Sequence, residues 1–140
     1  MILISHRGNM SGLNPQFENE QGYCEEAIDR GFDVEIDVWY RDSWWTGHDK
    51  PVYKVDVDFL KRKEVWCHAK NIEALKGLLD LGVHCFFHQN DNVTLTSKGY
   101  IWTYPTQPLT KKSICVLPEL QKIDFKESAG ICSDYIVRYI

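Results

Sequence analysis

The sequence has no surplus of positive charge: 16 Lys and Arg stand against 20 Asp and Glu, a formal net charge of −4. A global electrostatic grip on a nucleic-acid backbone is therefore not expected, which leaves at most a locally basic pocket for a small anion. There is no apolar run long enough to cross a bilayer, and the start MILISHRG enters an apolar strand at once, without a basic leader. A cytoplasmic protein with no membrane span is expected. There is no CxxC pair, and Cys24, Cys67, Cys85, Cys115 and Cys132 make an odd number. Four of them lie inside apolar runs, which predicts buried reduced thiols and not a disulfide framework. Repeats, low-complexity tracts and linker-like stretches are also missing, so residues 1–140 read as one domain.

Hydrophobic residues are plentiful at 44%, enough for one good core, and aromatics reach 13% with five Trp in or beside strand-like segments. Met1–Ile4 reads as a buried strand, Asn19–Arg30 as a helix stopped by Gly31, and Phe32–Asp42 as a second strand. Glu64–Cys67 is a further short strand. Ile72–Leu81 is the clearest helix, with Ile72, Leu75, Leu78 and Leu79 on one face and Gly82 at its end. Val83–Phe87 follows as a strand, and the alternation points to parallel βαβ units. The second half differs. Val93–Thr96, Tyr100–Tyr104, Ile114–Leu117 and Ile131–Tyr135 read as strands separated by turns, with one short helical segment at Glu119–Phe125 and breaks at Pro105, Pro108 and Pro118.

The segment FDVEIDVWYRD, Phe32–Asp42, puts Asp33, Glu35 and Asp37 on one face of a strand. Same-face neighbours lie about 6.6 Å apart, so these like charges destabilise the strand unless a cation stands opposite. A hairpin turning at Asp42 and Ser43 pairs residues whose numbers sum to 85, which sets His48 across from Asp37. His6, Arg7 and Gly8 follow the first strand directly, where α/β sheets carry their ligand sites. Two histidines, two carboxylates and an arginine at one rim suit a hard divalent metal, proton transfer and a phosphate oxygen, the kit of metal-assisted phosphoester cleavage.

HRG at residues 6–8, FENE at 17–20, EID at 35–37 and GHD at 47–49, in this order and spacing, resemble the signature of the glycerophosphodiester phosphodiesterases over the first third of the chain. The tail GICSDY, Gly130–Tyr135, resembles the family's last barrel strand. The resemblance implies a TIM barrel. Because such a barrel takes about 250 residues, a reduced TIM-like (β/α) barrel with several helices shortened or missing is expected. Bare strands would favour a homo-oligomer. The resemblance further implies His6 and His48 as the acid/base pair, Glu35 and Asp37 as ligands of a divalent metal (Mg, Ca, Mn or Zn), and Arg7 and Lys70 as phosphate-binding residues.

One departure is plain. CHAKN places His68 where the family has a carboxylate ligand, giving two carboxylates and an imidazole, a set that tilts away from calcium toward manganese or zinc. Glu18 matches the family's motif glutamate but also suits a helix start. His88 sits where it would face the mouth of the site. Asp33 reads as a capping or solvent residue, Glu119 as helix-terminal charge, and Trp102 and Tyr104 as core before pocket wall. The expected activity is metal-dependent hydrolysis of a glycerophosphodiester or similar small phosphodiester. The alternatives are a catalytically silent pocket for a phosphorylated ligand and a lyase of the phospholipase C or sphingomyelinase D kind.

Overall fold

The computed structural model describes residues 1–140. In chain order the elements are β1 (Ile2–His6), α1 (Gln21–Asp29), β2 (Asp33–Tyr40), β3 (Trp44–Thr46), β4 (Tyr53–Lys54), α2 (Val57–Leu60), β5 (Val65–Ala69), α3 (Ile72–Asp80), β6 (Cys85–Phe86), β7 (Val93–Leu95), β8 (Ile101–Thr103), β9 (Ser113–Val116) and β10 (Gly130–Ser133). Local chemistry sets the helix starts. The Glu20 side chain accepts the Gly22 and Tyr23 amides at 3.0 and 2.8 Å to begin α1. Asn71 accepts the Ala74 amide at 3.0 Å to begin α3, and its Nδ2 also donates to the Tyr40 carbonyl at 2.9 Å, which ties the helix to the end of β2.

Ten strands form one sheet. A parallel series runs β8, β9, β10, β1, β2, β5, β6, while β7 pairs antiparallel with β8 and the β3–β4 ribbon antiparallel with the far end of β2. The sheet curls, and the period of two sorts its side chains. Ile4, Trp66, Phe86, Trp102, Ile114, Val116 and Cys132 pack together on the concave face. On the convex face Val34, Ile36, Val38, Val65, Cys67 and Ala69 meet α1, α2 and α3 through Cys24, Ala27, Phe59, Leu60, Ala74 and Leu78. Gly130 lets β10 approach β1, since a Cβ there would sit 2.5 Å from the Ile2 carbonyl oxygen. All five cysteines are free and buried. No helix is long and apolar enough to cross a membrane.

The expected reduced TIM-like barrel is not what forms: the sheet is mixed and curls into a half-barrel, with three helices of which α2 is a single turn. The cause lies in the connections. Residues 87–92 and 96–100 are too short for the crossover that a parallel pair needs, so β7 turns back as an antiparallel hairpin on β8. Loops make the passages from β8 to β9 and β10, where Phe32, Cys115 and Ile131 pack against Ile136 of the 3₁₀ turn Ile136–Tyr139 and not against a helix. The expected helix at Glu119–Phe125 is only a 3₁₀ turn, Pro118–Leu120, entered through Leu117 at φ 50°. Asp33 is no solvent residue either: it accepts the Trp66 indole N–H at 2.9 Å.

Candidate functional site

The parallel register lines up the carboxyl ends of neighbouring strands, pairing His6 with Glu35 and Asp37 with His68. The same parity that buries Ile4 and Trp66 on the concave side sends His6, Glu35, Asp37 and His68 to that side at its rim. Glu35, Asp37 and His68 are 2%, 1% and 6% exposed, and one donor atom from each lies within 4.8 Å of the others. His68 Nδ1 stands 3.2 Å from Asp37 Oδ1 and 3.8 Å from Glu35 Oε1, and His6 Nε2 stands 3.7 Å from Glu35 Oε2.

Asp37 is gripped from behind. Asn19, the third residue of FENE, donates from Nδ2 to Asp37 Oδ2 at 3.0 Å and accepts the Asp37 amide at 2.8 Å. Arg7 places Nε 3.2 Å from the same Oδ2 and reaches Glu18 Oε1 at 3.4 Å. Both Arg7 and Asn19 sit at positive φ, 56° and 72°, and the Asn19 amide donates to the Arg7 carbonyl, so the two bends lock together. Glu18 is therefore a partner of Arg7 that also accepts the Asn14 amide, and not a helix start.

His6 Nδ1 bonds Asp134 Oδ1 at 2.8 Å. Asp134 is itself fixed by Asn9 Nδ2 at 2.8 Å and through its own amide by Glu119 Oε1 at 3.0 Å. With Nδ1–H donated to a carboxylate, Nε2 of His6 is the nitrogen left toward Glu35. Burial pulls the His6 pKa down, but the Asp134 bond and the Glu35 charge outweigh it and the net shift is upward. Burial and the Asp37 charge push Glu35 up. Burial would raise Asp37 too, yet the His68 bond and charge, Arg7 and Lys70 hold it well below the usual carboxylate range. Burial also opposes ionisation of Asp134, and its bond to His6 wins, lowering it.

His48 does not stand opposite Asp37. Asp42 adopts φ 60° and Arg41 N–H donates to the Ser43 carbonyl, giving a three-residue turn. The pairs Val38 with Thr46 and Tyr40 with Trp44 then sum to 84, and Gly47, not His48, faces Asp37. Gly47 has φ 151°, and a Cβ there would lie 2.1 Å from the Lys50 carbonyl oxygen, so the GHD loop closes only around glycine. One residue of slip turns His48 outward, half exposed, with Nδ1 2.7 Å from Asp49 Oδ1.

His48 still borders the main cleft, roughly 590 Å³, along with Trp39, His68, Lys70, His88 and Tyr104. A smaller hollow of roughly 270 Å³ that His48 also borders holds Arg7, Glu18 and Asn19. The two cationic side chains thus line separate hollows that share His48 and Asp49. The His68 ring lies stacked on Phe86 at 4.8 Å and on His88 at 4.5 Å, and His88 Nε2 meets the Tyr104 hydroxyl at 3.0 Å. Burial, the neighbouring His68 and Lys70 bring His88 down to about 4, so it is neutral near neutral pH.

Glu35 Oε2, His68 Nε2, His88 Nδ1 and Arg7 Nε are buried without a hydrogen-bond partner. The unpartnered Glu35 oxygen, in a group where His68 Nδ1 already faces both carboxylates, suits a divalent cation, and Glu35, Asp37 and His68 are the residues that could hold it. Four contributors are absent from the motif-based set: Asp134, Glu119, Asn9 and Asn19 as the clamp on Asp37. Asn19 and Asp134 carried a signal, the first inside FENE and the second in GICSDY, directly after the last strand as HRG follows the first. Comparison with protein-family models, curated proteins and solved structures finds no match to this chain.

Proposed function

We propose that this chain is a metal-dependent phosphodiesterase acting on a small phosphodiester, as its likeness to the glycerophosphodiester phosphodiesterases suggests. The observation that carries the reading is the buried Glu35, Asp37 and His68 set standing 3.7 Å from an imidazole, His6, whose other nitrogen is held by Asp134. A divalent ion bound there supplies Lewis-acid polarisation of a phosphoryl oxygen. The chain's own residues do the rest. His6 takes or returns a proton at Nε2, with Asp134 fixing the tautomer and stabilising the imidazolium. His48, at the edge of the cleft, serves the leaving or attacking oxygen from the solvent side. Lys70 holds the phosphoryl group from the cleft, and Arg7, braced by Glu18, from the adjoining hollow. His88 and Tyr104 form the wall beyond His68.

A silent binding pocket for a phosphorylated ligand is the second reading, favoured by the outward turn of His48 and its bond to Asp49. Hydrolysis of a panel of phosphodiesters with several divalent metals, beside Glu35→Ala and His6→Ala, separates the two. Turnover lost in both variants supports the enzyme. Phosphate-ester binding by the wild type without turnover under any metal supports the pocket, and turnover surviving both substitutions sinks both readings.

A further inference from the structure

Resting on the metal-centre reading above, we infer that the centre takes a four-coordinate ion of the zinc and cobalt class and not calcium or magnesium, with His68 Nδ1 as the deciding ligand. The donor inventory carries it. Asp37 Oδ2 is spent on Asn19 and Arg7, which leaves Asp37 Oδ1, the Glu35 carboxylate and His68 Nδ1. Three residues and few free oxygens fall short of the six to eight oxygens that calcium collects, whereas zinc sites are built from about three protein ligands and one open position.

The surroundings argue the same way. The side chains of Glu35, Asp37 and His68 are 3%, 1% and 8% exposed, so there is little room for the shell of waters that magnesium retains. Arg7 beside Asp37 cancels part of the negative charge on which hard cations depend, while an imidazole nitrogen suits borderline ions. His68 is also pre-set. Stacking on Phe86 and His88, with interplanar angles of 17° and 14°, fixes the ring plane. With Nδ1 as the ligand its proton sits on Nε2, which is buried and has no acceptor in the protein. That N–H is left for an oxygen of a substrate entering the cleft, something a carboxylate at this position could not offer.

The test is a Co²⁺ titration of the full chain followed by visible absorption, with Zn²⁺, Mg²⁺ and Ca²⁺ as competitors. The intense bands of four-coordinate cobalt are expected at one ion per chain, displaced by Zn²⁺ at least about 100-fold more readily than by Mg²⁺ or Ca²⁺. In His68→Glu the bands collapse to the weak six-coordinate pattern and Ca²⁺ competes at least about tenfold better. His68→Gln, close in size and without the imidazole, loses the four-coordinate bands while circular dichroism reports an unchanged fold. Weak six-coordinate bands in the wild type, no cobalt binding, competition by Ca²⁺ equal to that by Zn²⁺, or a spectrum indifferent to His68→Glu each overturns the inference. Phosphodiester turnover supported by Ca²⁺ or Mg²⁺ without a four-coordinate cobalt site overturns it and leaves the phosphodiesterase reading standing. A four-coordinate site with no turnover does the reverse.

Discussion

The two halves of the molecule solve the same problem differently. Up to β6 each parallel strand is followed by a helix, and the convex face is shielded by Cys24, Ala27, Phe59, Leu60, Ala74 and Leu78. After β6 no α-helix remains, and loops with two 3₁₀ turns cover Cys115 and Ile131. The first half supplies every member of the carboxylate and imidazole cluster. The second half supplies Trp102, Ile114, Val116 and Cys132 to the concave core, and it supplies Asp134. A sheet can therefore lack α-helices on one side and still hold this cluster, provided its inner face stays packed and its last strand reaches the first.

Two substitutions should pull that division apart most strongly. Trp102→Ala, at a side chain 1% exposed, is expected to cost about 3–5 kcal/mol in urea unfolding because the bulky second-half residue fills the curl of the sheet. Glu35→Gln is expected to lower phosphodiester turnover by about 10³-fold. The same change should raise the melting temperature of the metal-free protein at neutral pH by removing a buried charge that Asp37 repels. A drop in melting temperature would mean that Glu35 is structural.

Asp134→Asn comes next, since it tests whether the second half reaches into the chemistry. Turnover should fall about 10²-fold, and the His6 titration followed by NMR should move to lower pH, because the bond that raises it is weakened. An unmoved His6 titration would confine Asp134 to packing. Smaller in size is a pH effect on stability. His6 and Glu35 are raised in the folded state, so their contributions are present at low pH and fade as pH rises through the folded values. Asp37 and Asp134 are lowered, so theirs are lost only as pH falls below the ordinary carboxylate range. Metal-free protein should thus melt higher near about pH 6 than near about pH 8.5, and His6→Asn should flatten that difference. The smallest effect belongs to Leu79→Ala on the outer side of α3, 54% exposed, where denaturation should change by no more than about 0.5 kcal/mol.

Much of this architecture is written locally. Alternation in DVEIDVWY marks β2 and its two faces, and the Asn71 cap with the apolar spacing of residues 72–79 marks α3. The cluster is legible for the same reason, because parity alone puts Glu35 and Asp37 on one side. The curled half-barrel is not, since it depends on which short connections permit a parallel crossover, and composition is silent on that. The position of His48 hinges on one left-handed residue, Asp42, which no pattern of apolar residues encodes. The link between Glu119 and Asp134 escaped because it forms only in the folded sheet: a charge after Pro118 looks like a helix start until β10 arrives beside it.

The bond between His6 and Asp134 joins residues 128 apart in sequence, and residues 2–5 find their partners in residues 130–133. Such pairing carries a high contact order and is expected to form after the nearer β2–β5 and helix contacts. A refolding chain is thus expected to acquire its helical face before the His6–Asp134 pair closes. Recovery of the proposed turnover should lag behind recovery of the far-ultraviolet signal, with the closure of β1 on β10 as the last step.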